Sequence, residues 1–400
     1  MVTHVEARQE TMQSSAAKLS HHDSHFDLAQ PLPPLEIDLG LLDDRALITV
    51  GRKLAQGQRL DLEDGLRLMT SRDLSGLGHL AHQARLAKNG LRAYYVRNRH
   101  INYSNVCANG CAFCAFWREP GQKGAQTMTP AQAAALAAQN PDMPLEELHV
   151  VGACNPGLDF SYYPDLLRAL GQARPQAALK AFTAVEIDHM AQVAGLDVCQ
   201  VLDILRQAGL KAMPGGGAEV FAPRVRRALC PSKPSGARWL EVSGLAHQMG
   251  LQTNATMLYG HIETAQERVE HLLALREQQD KTGGFSAFIP LAFHPANTKL
   301  AHLAPTTALD DLRVIATSRL MLDNFPHIKA YWVMLSPKLA QVALGYGADD
   351  LDGTIVEERI THEAGANTAV GLTEAELRQM IEAAGCAPVR RDAFYNAVED

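Results

Sequence analysis

Three cysteines fall within the run Cys107-Ala-Asn-Gly-Cys111-Ala-Phe-Cys114. Soft, readily ionised thiolates favour iron–sulfur clusters, zinc or copper(I), and this spacing lets one loop hold three corners of a cubane. The motif leaves a fourth iron without a ligand, and an iron with an open position can bind and reduce a small molecule in place. That is chemistry rather than electron storage. The paired Cys-x-x-Cys hooks of a structural zinc site find no matching second pair elsewhere. The other cysteines, Cys154, Cys199, Cys230 and Cys386, are scattered, and the total of seven is odd. A secreted disulfide framework does not fit.

From about residue 96 strand-like runs alternate with polar or glycine-rich turns and amphipathic helices, the pattern of βα units. The candidate strands are 96–102, 147–152, 180–185, 211–214, 253–259, 285–291, 328–335 and 347–351. They predict an α/β fold, a TIM-like (β/α) barrel of eight units, closed or nearly closed, with its chemistry at the C-terminal strand ends. The loops there carry the three cysteines, Gly152-Ala-Cys154-Asn-Pro156, Glu186, Gly215-Gly-Gly217-Ala-Glu219 and Gly260-His-Ile-Glu263. Phe293-His294-Pro-Ala-Asn297, Ser336-Pro-Lys338 and Asp349-Asp-Leu-Asp352 follow.

Several of these residues have two readings. Gly215 to Gly217 either let backbone amides approach an anion or form a tight βα turn. Glu186 and Glu263 either accept hydrogen bonds from a bound ligand or act as helix-start acids stabilised by the dipole. His261 and His294 are candidates for proton transfer or carboxylate binding, although a single histidine is more often a satisfied structural residue. Cys154 stands near the cysteine loop, but a fourth protein thiolate would close the open iron, so it reads as a small loop residue.

The chain has 400 residues, 46% of them hydrophobic, enough for a large core, and a net charge of -7 gives no basic field for nucleic acid or an anionic membrane. No apolar run reaches the ~18 residues of a membrane span and no signal peptide opens the chain, so the expectation is a cytoplasmic enzyme acting on small molecules. Residues 1–36, with His21, His22, His25 and a proline cluster, read as a disordered tail. Apolar residues at helical spacing make 37–92 an N-terminal helical cap. The core barrel then spans 93–325, and 326–400 complete it.

The cysteine loop resembles that of the radical S-adenosylmethionine superfamily, Cys-x-x-x-Cys-x-aromatic-Cys, which Cys107, Cys111, Phe113 and Cys114 match. The resemblance implies a [4Fe–4S] cluster on the three cysteines, with S-adenosylmethionine on the open iron as consumed co-substrate. It implies Phe113 beside the adenine, and Gly152, Glu186, Gly260 and Glu263 around the cofactor. Within the superfamily the chain resembles the aminofutalosine synthases of the futalosine route to menaquinone. His100-Ile-Asn-Tyr-Ser-Asn105, Lys180-Ala-Phe-Thr-Ala-Val-Glu-Ile187, Pro214-Gly-Gly-Gly-Ala-Glu219 and Thr253 to Thr264 carry that likeness. So do Gly283 to Pro290, Lys329 to Gln341 and Asp349-Asp-Leu-Asp-Gly-Thr354. One departure is Ala153, where the family has a second glycine.

The implied reaction adds the 5′-deoxyadenosyl group to 3-[(1-carboxyvinyl)oxy]benzoate, with rearrangement and decarboxylation, giving 6-amino-6-deoxyfutalosine. An electron donor such as a flavodoxin or ferredoxin would serve it. Arg118, Arg224, Arg226, Arg227 and Lys338 are available cations for a substrate with two carboxylates. The sister reactions of dehypoxanthine futalosine cyclase and deazaflavin synthase are the alternatives, and a non-catalytic iron–sulfur or zinc module is the alternative of another class.

Overall fold

The computed structural model describes residues 30–356, 358–366, 368–369 and 371–399. The tail histidines His21, His22 and His25 lie outside the described residues. Seven parallel strands form one sheet in sequence order: β2 (Asn98–Ile101), β3 (Glu147–Val150), β4 (Ala178–Ala181), β5 (Leu210–Met213), β6 (Gln252–Tyr259), β7 (Phe285–Ala292) and β8 (His327–Ile328). Parallel neighbours require a crossover, and helices supply each one, so the outer face of the sheet is covered and the inner face is left to the barrel interior. The eighth candidate strand is β9 (Asp350–Gly353), which pairs in a second sheet with β1 (Arg92–Val96), itself paired with β10 (Ala387–Arg390). Two parallel bridges close the ring: Lys329 to Asp350 beyond β8, and Arg99 on β2 to Val356. The wall is thus a curled, TIM-like α/β barrel whose gap is spanned by residues 350–356.

Helix starts explain where two candidate strands stop early. Residues 180–185 read as strand, but Thr183 and Glu186 form a reciprocal capping box that begins the helix Ala184–Ala194. In 328–335 the strand ends at Ile328, and Trp332–Leu335 is a short helix. At the first candidate strand the chain divides at Arg97, so Val96 belongs to the second sheet.

Residues 37–92 form helices Arg45–Ala55, Leu62–Thr70 and Leu74–Asn89, each started by an aspartate cap. They pack against the outer helices Ala265–Thr282 and Ala308–Met321. A Cβ on Gly65 would lie 2.4 Å from Val269, which is how closely this layer sits on the wall. None of its residues lines the cavity described below. No helix among the described residues is long and apolar enough to cross a membrane.

Period-two alternation decides what enters the barrel. On β2 Arg99 points outward, where it donates to the carbonyls of Leu136 (2.6 Å) and Gln139 (2.9 Å) at the end of the helix Pro130–Ala137. Asn98 and His100 therefore face inward. On β3 Leu148 and Val150 join the apolar core, which leaves Glu147 and His149 to the interior.

Candidate functional site

The cysteine loop follows β2 and is held by backbone hydrogen bonds from three directions. Cys107 N donates to Arg118 O (3.1 Å) and Arg118 N to Asn105 O (2.8 Å), which folds the loop back on itself. Ala108 N donates to Cys154 O (2.9 Å), Ala112 N to Leu229 O (2.8 Å), and Lys299 N to Ala112 O (3.0 Å). Gly110, with φ 53°, makes the turn between the first two cysteines. Cys107, Cys111, Cys114 and Phe113 all line one cavity of about 300 Å³ at the C-terminal strand ends.

All three thiols are free. Hydrogen bonding from Cys154 draws the Cys107 thiol down to about 6. Burial pushes Cys111 up to about 12 and Cys114 upward, so thiolates there require positive charge close by. One such charge is Lys233, which pairs with Glu219 at 2.5 Å and lies 5.2 Å over the Phe113 ring. Burial works against its ammonium, yet Glu219 and then Cys111 outweigh that and hold it well above its ordinary range. Among the described residues no three His, Cys, Asp or Glu side chains are gathered as a single ion requires. A cubane takes each thiolate on a separate iron and does not ask for that.

Glycines bring backbone to the cavity where side chains would collide. A Cβ on Gly152 would lie 2.6 Å from the Tyr103 ring, and one on Gly215 would lie 2.7 Å from the Asn254 backbone. Ala153 lines the cavity beside Gly152. Gly215 to Gly217 form a tight turn, with Gly215 O accepting from Thr256 Oγ1 (2.7 Å) and Gly216 O from Trp239 Nε1 (3.1 Å), and all three line the cavity.

Glu186 also lines it, but its carboxylate already accepts from Tyr103 Oη (2.7 Å), Gly152 N (3.0 Å) and Thr183 N (2.7 Å). It thereby fixes the Gly152 loop to the helix it starts. His294 lines the cavity, its Nε2 3.0 Å from Met334 O.

Gly260, His261 and Glu263 are not among the lining residues. Glu263 instead accepts from Gly260 N (2.6 Å) and His261 N (2.9 Å) and pairs with Arg268, which closes the turn after β6. Burial opposes its charge, but His261 at 2.6 Å and Arg268 hold the carboxyl down at about 2. Nor do the five candidate cations line the cavity. Arg224 pairs with Glu267 (2.6 Å), Arg226 donates to Ala218 O (2.7 Å), and Arg118 reaches Glu363 (3.4 Å).

In their place the cavity presents His100, His149, Lys233, Tyr331, Asp352 and Glu358, to which sequence reasoning assigned no role. The signal for His100 and His149 was period-two alternation on two short strands, legible once the inward face is known.

Family comparison adds an independent line. The Radical SAM superfamily matches residues 101–275, and the CofH/MqnC C-terminal region matches 282–400. The chain is 48% identical to the aminodeoxyfutalosine synthase of Thermus thermophilus, over 90% of this chain and 97% of that one. It is 43% identical to that of Streptomyces coelicolor, over 87% and 93%. It is also 39% identical to the 5-amino-6-(D-ribitylamino)uracil–L-tyrosine 4-hydroxyphenyl transferase of Methanothermobacter thermautotrophicus, over 86% and 96%. The fold is similar to that of the FeFe-hydrogenase maturase HydG from Carboxydothermus hydrogenoformans, with a TM-score of 0.68 at 15% identity over 87% of this chain and 80% of that one.

Proposed function

The chain belongs to the radical S-adenosylmethionine superfamily, and from that premise we propose that this enzyme catalyses the aminodeoxyfutalosine synthase reaction. It joins the 5′-deoxyadenosyl group of S-adenosylmethionine to 3-[(1-carboxyvinyl)oxy]benzoate, with rearrangement and decarboxylation, to give 6-amino-6-deoxyfutalosine. The observation that carries the reading is the near full-length likeness to two synthases, joined to a three-thiol loop that lines a cavity at the strand ends.

The family implies a [4Fe–4S] cluster and S-adenosylmethionine, which when bound supply a 5′-deoxyadenosyl radical. Cys107, Cys111 and Cys114 hold the cluster. Phe113 offers a face to the adenine, and the Gly152 backbone, fixed by Glu186, receives the amino acid end of the cofactor. Leu258, Ile289, Leu291 and Phe293 form an apolar wall that excludes water from a reactive intermediate. Residues 93–325 act as the catalytic core and 326–400 complete the barrel, and a flavodoxin or ferredoxin in the cytoplasm is the electron donor.

The test is anaerobic reconstitution with iron and sulfide, followed by S-adenosylmethionine, reductant and the enolpyruvyl ether, with products read by mass spectrometry. 6-Amino-6-deoxyfutalosine is expected. Cleavage to 5′-deoxyadenosine without an adduct would overturn the synthase reading. The tyrosine transferase relative at 39% identity makes the sister reactions the second reading, and their substrates the next to supply.

A further inference from the structure

The cavity ends on two stacked imidazoles. His100 on β2 and His149 on β3 are register partners whose rings stack 4.5 Å apart at 16°, and both line the cavity. His100 is only 7% exposed, and its ring nitrogens have no hydrogen-bond partner among the described residues. An interior barrel layer is ordinarily apolar, so polar ring atoms that line the cavity without a protein partner are available to a ligand.

The charged groups nearby are paired with each other. Glu147, 3.5 Å from His149 Nδ1, is held by Lys180 at 2.6 Å. Asp352 faces Lys329 at 3.3 Å, and Glu358 faces His362 at 3.0 Å. With His149 Nδ1 turned to Glu147, the His100 nitrogens and His149 Nε2 are what remains for a ligand. Burial, with His149 beside it, draws the His100 pKa down to about 4, so it is neutral near pH 7 and presents one N–H donor.

Depth along the strands says which part of the ligand meets them. His149 precedes Gly152 by three residues, which is about 10 Å of strand below the cofactor loops. A flat ligand lying along the apolar wall, with its vinyl end at those loops, sets its far end on the imidazoles.

We propose that His100 and His149 form an anion-binding floor that recognises the ring carboxylate of an aromatic acid, a role that rests on the reaction proposed above. The floor gives the substrate its orientation, with the aryl acid down and the enolpyruvyl group up.

Calorimetric titration of the reconstituted enzyme with 3-[(1-carboxyvinyl)oxy]benzoate, 3-ethoxybenzoate and 3-ethoxybenzamide tests it. His100→Phe and His149→Phe keep the ring stack and remove the nitrogens. Each should weaken both acids about tenfold, as expected for a lost hydrogen bond to a charged group, and leave the neutral amide nearly unchanged. His149→Gln should recover part of the loss. Acid and amide weakening together, or acids binding unchanged in both variants, would overturn the proposal. Iron content is the folding control, and if one variant fails to assemble its cluster the other decides. Selective loss of 3-ethoxybenzoate in the variants, with no adduct from the unaltered enzyme, would uphold the floor and reject the reaction.

Discussion

Buried cysteine packs as a small apolar residue, so its neighbours decide whether a thiol is a ligand. Cys107, Cys111 and Cys114 share one anchored loop, whereas Cys154 arrives from the end of β3 and gives its carbonyl to Ala108 N (2.9 Å). Its thiol lies 3.8 Å from Val185 O, and Cys107 beside it together with burial pushes its pKa well above the ordinary range, so it stays a neutral thiol rather than a ligand. Replacing Cys107, Cys111 or Cys114 by Ala should lower the iron bound on reconstitution severalfold, while Cys154→Ala should keep it. Colorimetric iron and sulfide content decides, and a full cluster in Cys111→Ala would sink the assignment. The thiols were legible because ligand spacing lies within one short run. Lys233 and the histidine pair were not, because their meaning depends on facing side chains distant in sequence, Glu219 for the lysine and the β2–β3 register for the histidines.

At the scale of elements, one hydrogen-bonding pattern serves opposite purposes. Thr183 and Glu186 cap a helix and hold a cavity loop, so the helix-start and site readings of Glu186 meet in one carboxylate. A strand propensity in Lys180 to Val185 gave no warning of this, since the cap needs only Thr and Glu three apart.

A second local device lies around the short helix Ile360–Glu363, where Ile360 and Thr361 of the helix and Glu358 and Ala364 beside it line the cavity and His362 pairs with Glu358. Hydrogen bonding to Glu358 raises the His362 pKa from 6.5 to about 9. A raised folded-state pKa means the pair's contribution is complete below about pH 6.5 and disappears as pH rises through about 9. Hydrogen exchange in residues 358–366, corrected for the intrinsic rate, should therefore quicken across that window. His362→Gln should be fast throughout, and a flat profile in the unaltered enzyme would reject the pair as a latch on the cavity wall.

For the whole molecule, the seven strands of the barrel sheet could be read from sequence, those at 180 and 328 with displaced ends, because each is a local run with its own turn and helix. Closure could not. It depends on β1 and β10, which pair Arg92 with Ala387, and on bridges from residues 350–356 to both edges of the seven-stranded sheet. Pairings at such separations leave no periodic trace in either segment. The lock on this closure is electrostatic: Arg391 donates through Nε to Asp350 at 2.8 Å with both side chains fully buried, and its amide donates to Tyr95 O at 2.9 Å. Asp350 also accepts Ala330 N at its carbonyl (2.8 Å), so the ion pair sits where β1, β8 and β9 meet. Removing one partner of a buried pair strands the other charge, so Arg391→Met should cost about 3–5 kcal/mol by chemical denaturation. In an Asp350→Asn background the same change should cost much less, because no charge is left stranded. A cost below about 1 kcal/mol for Arg391→Met alone would show that the barrel closes without this pair.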